Sequence, residues 1–286
     1  MVKQAIYVPN FGDWGNVDLL VELASKAEET GFDGLFLWDH INITGEDGLD
    51  TVDPSVALAV VAKETSRIKL GPVVTPLARR RPWKLARELV TLDRLSDGRL
   101  VFGAGLGEPA ELEFAAFRED SDGKIRARKL DEGLTILDGL VQGKVTSFSG
   151  EYYNIQDVRF KPKSVQEPRF PIWIAATLPY LAGVKRSLSW DGIFPVVKPL
   201  ENPRIWANWF PTLSDFENMV KRVRANLNRK GEFDFVASGM MGDRNCKGVS
   251  FDEYVNVGAT WWFHWVDETP GTFRKTMEKV TRGPIG

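Results

Sequence analysis

At 286 residues and 43% hydrophobic content the chain exceeds one domain by the usual measure of roughly 150 residues, yet it suits a single closed barrel of about 250. Its 37 basic and 39 acidic residues leave a net charge of −2, which argues against nucleic acid or another polyanion as partner. One cysteine, Cys246, two histidines and no metal-ligand spacing exclude an internal disulfide and argue against a zinc or iron centre.

The first residues, Met-Val-Lys-Gln-Ala-Ile-Tyr, lack the apolar stretch of a signal peptide. The longest apolar run, residues 56–62, falls far short of the ~20 residues that span a bilayer. Together these predict a cytoplasmic protein without a membrane partner.

Along the chain, apolar runs of strand length alternate with segments of helical period. Residues 4–9 read as a strand. Val17, Leu20, Val21, Ala24 and Ala27 follow at helical spacing, with Gly31 where a C-cap belongs. Residues 34–38 form a second strand, and Asp53-Pro54 opens a helix as N-cap and first-turn proline. Residues 68–74 are a third strand. Pro82 opens a helix with Leu85, Leu89 and Leu92 on one face, and residues 100–104 are a fourth strand. Leu130, Leu134, Leu137 and Val141 mark a long fourth helix.

The rhythm continues with strands at 172–176, 192–197, 233–237 and 260–266. A helix is expected after Pro179, and capping boxes at Ser214/Glu217 and Ser250/Glu253 open two more. Thr269-Pro270 is read as the cap of the last helix. Residues 145–148 and 151–155 alternate around Ser149-Gly150, which predicts a β-hairpin between the fourth helix and the fifth strand. The stretches 200–211 and 242–248 read as long loops.

Eight strand–helix units with mostly unalternated apolar strands fit a parallel sheet buried on both faces. The expectation is one α/β domain over residues 1–286, a (β/α)8 barrel of the TIM type with the hairpin outside it. Such barrels keep their sites at the C-terminal ends of the strands.

Those ends supply the candidates. His40 closes the second strand, where an imidazole that titrates near neutrality suits proton transfer; the alternative is a histidine hydrogen-bonded within a loop. Asp39 either orients it or caps the following loop. The fourth strand runs into Gly103-Ala104-Gly105-Leu106-Gly107-Glu108. The third glycine falls one place early for the dinucleotide fingerprint, so the glycines suggest close passage of backbone past something bulky, or a tight turn. Glu108 would stand beside His40 as the second member of an acid/base pair. Arg126 and Arg128 begin the fourth helix and form either an anion site or a solvated basic turn. Arg79-Arg80-Arg81 reads as a solvated helix entry, or as a site for an acidic ligand tail. In Trp261-Trp262-Phe263-His264-Trp265 alternation sets Trp262 and His264 on one face, and His264 is read as a core histidine.

In combination these segments resemble the bacterial luciferase-like superfamily of flavin- and deazaflavin-dependent oxidoreductases. The likeness is carried, in order, by Trp38-Asp39-His40, by the stretch from Leu70-Gly71 to Leu92-Asp93-Arg94-Leu95-Ser96-Asp97-Gly98-Arg99, and by Phe102-Gly103-Ala104-Gly105. It continues through Arg128-Lys129-Leu130-Asp131-Glu132-Gly133, Gly150-Glu151-Tyr152-Tyr153, Pro171-Ile172-Trp173-Ile174 and Trp190-Asp191-Gly192. It covers most of residues 1–197; the rest matches in rhythm alone.

The resemblance implies a ring cofactor, FMN or coenzyme F420, at the barrel mouth, a small-molecule substrate and homodimeric assembly. It implies His40 as base on an alcohol-like substrate, with Asp39 before it and Glu108 near the ring. A bulge at Val74-Thr75-Pro76 would support the ring beside Gly105 and Gly107, while Arg128 and Thr177 would meet an FMN phosphate. Oxygen chemistry would add a separate flavin reductase as partner. Ala175-Ala176-Thr177-Leu178-Pro179 departs from the glycines and serine common after the fifth strand, and the added methyls and proline narrow a phosphate pocket. Two other readings stand beside this one: a non-catalytic flavin binder, and a barrel glycosidase using Glu108 with Asp243.

Overall fold

The computed structural model describes residues 1–43, 48–198, 209–228, 231–246 and 248–285. Strands β1 (Lys3–Val8), β2 (Gly34–Leu37), β3 (Lys69–Pro72), β4 (Thr75–Pro76), β5 (Phe102–Gly105), β8 (Ile172–Leu178), β9 (Gly192–Val197), β10 (Asp234–Met240) and β13 (Trp261–Trp265) form one sheet. Its order is β3-β2-β1-β13-β10-β9-β8-β5-β4, and each of its described pairings is parallel. β3 lies within the predicted third strand, 68–74, while β4 lies just beyond it, across the cis Val73-Val74 peptide. Leu70 bridges Leu100, and Val101 N donates to Leu70 O at 2.9 Å, so the sheet returns on itself as an eight-position barrel.

Helices α1 (Val17–Thr30), α2 (Pro54–Glu64), α3 (Pro82–Leu95), α5 (Gly123–Val141), α6 (Leu181–Ser187), α7 (Leu213–Asn226), α8 (Phe251–Val257) and α9 (Phe273–Thr281) return the chain between strands. Local chemistry sets their limits. Asn16 caps α1, and Gly31 ends it at φ +97°. Asp53 accepts from Val56 N and Pro54 opens α2. Ser250 and Glu253 form the capping box of α8.

Two expected caps fall elsewhere. α7 is capped by Thr212, whose hydroxyl accepts from Asp215 N at 3.2 Å, in place of Ser214 with Glu217. α9 starts after Thr272, three residues beyond the expected threonine. The intervening turn is held where Asp13 accepts from Gly271 N and Phe273 N.

Between α5 and β8 run the antiparallel strands β6 (Thr146–Ser149) and β7 (Asn154–Val158). They pair Ser149 with Asn154, so the chain reverses over residues 150–153, C-terminal to the expected Ser149-Gly150 turn. Glu132 of α5 fixes the reversal by accepting from the backbone N–H groups of Glu151, Tyr152 and Tyr153. In the predicted loop 242–248, β11 (Asn245–Cys246) pairs with β12 (Val249–Ser250). Of the predicted loop 200–211, residues 200–208 lie outside the described residues.

The sheet separates two apolar layers. Leu35, Leu37, Phe102, Ala104, Ile172 and Ile174 pack outward against helices. The lumen is filled by rings. Phe36 stacks on Phe263 at 4.9 Å; Trp173 and Trp261 lie 5.5 Å apart; Tyr7 touches Trp38, Phe194 and Trp265. Alternation along β13 sends Trp261, Phe263 and Trp265 inward, and Trp262 and His264 toward the helices. His264 is buried with Nε2 2.9 Å from Gln4 Oε1, a core histidine, and burial pushes its pKa down to about 3.

Candidate active site

At the C-terminal end of β2 the chain turns away from the barrel, which places Asp39 and His40 at the mouth. Asn10, beyond β1, holds this turn: its amide nitrogen donates to His40 O and Val52 O, and its amide oxygen accepts from His40 N. The imidazole rests between Phe11 and Trp38, with centroids at 5.9 and 5.7 Å. Its side chain is 14% exposed. That exposure opens onto a recess of about 430 Å³ that includes Asp39, Ile41, Val52, Arg80, Glu113 and Phe117 in its lining.

The carboxylate at His40 is Glu113, not Glu108. Glu113 sits on a one-turn helix, α4 (Ala110–Glu113), set after the Glu108-Pro109 turn. Its Oε1 lies 2.9 Å from His40 Nδ1, and both its oxygens lie 3.3 Å from Ile41 N. Arg79 Nη1 donates to its other oxygen. Burial acts to raise the Glu113 carboxyl. The hydrogen bond and charge of His40, the Arg79 charge and the Ile41 amide outweigh it and hold the group below the usual glutamate value.

Arg79 and Arg80 are not a solvated entry. Their side chains are 6% and 22% exposed and both close on Asp39. Arg79 Nη2 donates to Asp39 Oδ1 and to Asp39 O, each at 2.7 Å, and Arg80 Nη2 reaches both carboxylate oxygens at 2.9 and 3.0 Å. Asp39 therefore neither orients the His40 ring nor caps the loop; it anchors two guanidinium groups. Arg80 is held charged: burial opposes it, but the charge and hydrogen bond of Asp39 prevail.

The glycine turn has a packing cause. A Cβ on Gly103 would lie 2.9 Å from Val73 Cα, one on Gly105 2.5 Å from Val74 Cγ1, and one on Gly107, at φ +84°, 2.6 Å from Pro76 Cβ. The bulky neighbour is thus the broken third strand. Thr75 is fully buried, and its register with Ala104 sets its side chain toward the helix layer. Glu108 lies 3.4 Å from Arg126, whose guanidinium also donates to Leu106 O and Gly107 O; Arg126 is a staple of this turn. Arg128 is half-exposed and paired with Glu151 at 2.9 Å. Thr177 is partly exposed near the end of β8, and its carbonyl accepts from Tyr180 N.

Sequence reasoning placed His40 and Asp39 at the mouth; it gave no sign of the contacts that Glu113, Asn10, Arg79 and Arg80 make there. Arg79 and Arg80 sit 40 and 41 residues from Asp39, and Arg79 sits 34 from Glu113, so the pair carries no local signal of burial. Four residues of helix show no period that would mark Glu113 as buried.

The chain is thus a parallel eight-position barrel with an imidazole–carboxylate pair at its mouth. A sequence model of the luciferase-like monooxygenase family matches residues 8–202, and the chain belongs to that family. It is 31% identical over 164 residues to the F420-dependent glucose-6-phosphate dehydrogenase of Amycolatopsis mediterranei, a match covering 57% of this chain and 49% of that protein. It is 30% identical over 166 residues to limonene 1,2-monooxygenase of Rhodococcus erythropolis, covering 57% and 41%. These matches span less than half the length of the relatives. The coenzyme F420 dependent tetrahydromethanopterin reductase from Methanopyrus kandleri superposes with a TM-score of 0.74 at 17% identity, over 98% of this chain and 97% of that one, a likeness of fold. Among the described residues, no helix is long and apolar enough to cross a membrane.

Proposed function

We propose that the protein is an oxidoreductase that moves a hydride between a flavin-type ring, F420 or FMN, and a small organic substrate, with His40 carrying the substrate's proton. The single observation behind this is the His40 imidazole, held on Nδ1 by buried Glu113 and opening onto a recess of ligand size. The donor set fits such a group. Ile41, Val52 and Phe117 offer apolar wall to a planar ring, and Arg80 offers a cation to its carbonyl edge. Val74 and Gly105, in contact at the mouth, are the proposed ring-side backbone, with Thr75 and Gly107 flanking them and Asp39 acting through Arg80. Arg128 and Thr177 are the proposed phosphate contacts. The exposed Arg128–Glu151 pair is worth about 0–1 kcal/mol, so releasing Arg128 costs little.

Held by these residues, such a ring would supply the hydride acceptor or donor. His40 takes the proton from the substrate hydroxyl on oxidation and returns it to the carbonyl oxygen on reduction, so charge balances. Glu108 remains proposed as a second ionisable group near the ring. The names of the dehydrogenase relatives favour F420. The limonene monooxygenase relative favours a second reading, FMN with oxygen, in which a separate flavin reductase supplies reduced FMN. The glycosidase reading has only the strand-end position of Glu108 behind it and is set aside on the family. We further propose a cytoplasmic, single-domain homodimer; exposed Val56 and Val60, one turn apart on α2, offer an apolar face for it.

Titration with FMN and with F420, read by fluorescence and melting temperature, tests the cofactor: one of them should stabilise the protein. Binding without turnover on any alcohol or carbonyl substrate would leave a non-catalytic binder. With the ring bound, His40→Ala should lower kcat ~10²–10⁴-fold. Full turnover with an unchanged pH profile would remove His40 from the mechanism.

A further inference from the structure

His40 and Glu113 lie 73 residues apart in sequence, and both line the recess. The Glu113 side chain is fully buried, that of His40 nearly so. A buried carboxylate that accepts from an imidazole, an amide and a guanidinium stays ionised near neutral pH, which its depressed pKa supports. An ionised carboxylate only accepts, so the hydrogen at the 2.9 Å contact belongs to His40 Nδ1. The second ring nitrogen is then the basic one.

Arg79 extends the unit by spanning Glu113 and Asp39, and Arg80 completes the balance on Asp39. Two carboxylates and two guanidinium groups thus sum to zero behind the imidazole. Among the described residues, the remaining charged groups facing the recess are Asp53 at the start of α2, with Oδ2 3.8 Å from Arg80 Nη1, and Glu119 beyond α4.

We infer that Glu113 is the positioning residue of this site: it fixes His40 as the Nδ1–H tautomer, presents Nε2 to substrate, and is itself held by Arg79 against Asp39. This rests on the reading of His40 as proton carrier. It differs from the pairing with Glu108 in assigning the orienting role to a residue buried below the imidazole. Glu113 reaches substrate only through His40. Removing Glu113 should therefore change which His40 nitrogen carries the hydrogen, whereas a purely structural carboxylate would alter stability alone.

The test uses the whole chain with ¹⁵N-labelled histidine and needs neither cofactor nor substrate. With two imidazoles in the protein, ¹H–¹⁵N correlation spectra resolve both rings, and a His264→Gln variant assigns them by subtraction. At pH 8 the wild-type His40 should be the Nδ1–H tautomer, and Glu113→Ala should show mixed tautomers. Glu113→Gln still accepts from Nδ1–H through its amide oxygen but has lost the charge. In the loaded enzyme it should lower kcat with KM little changed, while Glu113→Asp restores part of the loss.

A wild-type His40 found as the Nε2–H tautomer overturns the inference without any variant. So does a Glu113→Gln enzyme with undiminished kcat. Should the variants fail to fold, the wild-type spectrum alone decides. The tautomer readout stands apart from the turnover of His40→Ala, so failure of the catalytic reading and failure of this assignment are separable.

Discussion

Burying an imidazole in neutral form makes folding depend on protons. In the folded chain His264 titrates at about 3, against 6.5 for an ordinary histidine. Its folded pKa lies below its unfolded pKa, so the unfolded chain binds the proton first as the medium is acidified. The contribution is full above 6.5, declines as pH falls through the window between the two values, and is gone below about 3. Urea midpoints measured at pH 7 and pH 5 should show a loss of order 1–2 kcal/mol from this group. In His264→Gln, which keeps a hydrogen-bonding side chain opposite Gln4, that loss should shrink; an equal loss in both proteins would assign the acid sensitivity elsewhere. Glu113 acts in the same direction lower on the scale. Its folded pKa is depressed below 4.5, so its stabilisation is present above that value and is lost as pH falls through the folded pKa. Glu113→Gln should therefore be less stable than wild type at pH 7, and the gap should close in acid.

A helix start is a local event, and the two ways of reading α7 separate cleanly by mutation. Thr212→Ala removes the side chain that accepts from Asp215 N and should cost about 1 kcal/mol. Ser214→Ala changes a residue inside the first turn and should be near neutral by chemical denaturation. Equal costs would restore the expected box. The error has a physical source: Thr212 and Ser214 both precede a run of apolar residues at helical spacing, and pattern alone does not choose between two good cap residues two places apart. Where one signal stands alone, as with Asp53-Pro54 or Ser250 with Glu253, the sequence and the structure agree. Strand positions were legible from apolar runs, because a parallel strand covered on both faces needs little else. The break in the third strand was legible in place only from the resemblance. Of the candidate site, the mouth position of His40 was legible from its strand end, and the burial of α4, Arg79 and Arg80 was not, since burial of a charge is decided by partners far along the chain. The Gly105 turn lies between: close approach was expected from the glycines, and what approaches is Val74.

At the scale of the whole molecule the barrel is sealed by contacts remote in sequence, such as Lys3 with Trp261 and Tyr7 with Trp265. Non-local pairing of this kind slows folding, because loop entropy is lost before the contacts form. Refolding after denaturant jump should accordingly be slow on the scale of helical bundles of similar stability, with lumen packing late; submillisecond recovery of the tryptophan signal would contradict this. The ring-filled lumen then acquires an optical meaning. Tyr7, Trp38, Trp173, Trp261 and Trp265 lie in chains of neighbours at 4.9–5.5 Å. Absorbed light passes among chromophores that close, so none of them emits as an isolated probe. Their fixed mutual tilt, 39° for Tyr7 against Trp38 and 68° for Trp38 against Trp265, makes the coupled set chiral. The near-ultraviolet circular dichroism of this protein is therefore a direct gauge of barrel interior order, one that vanishes when side-chain packing is lost even while helices persist.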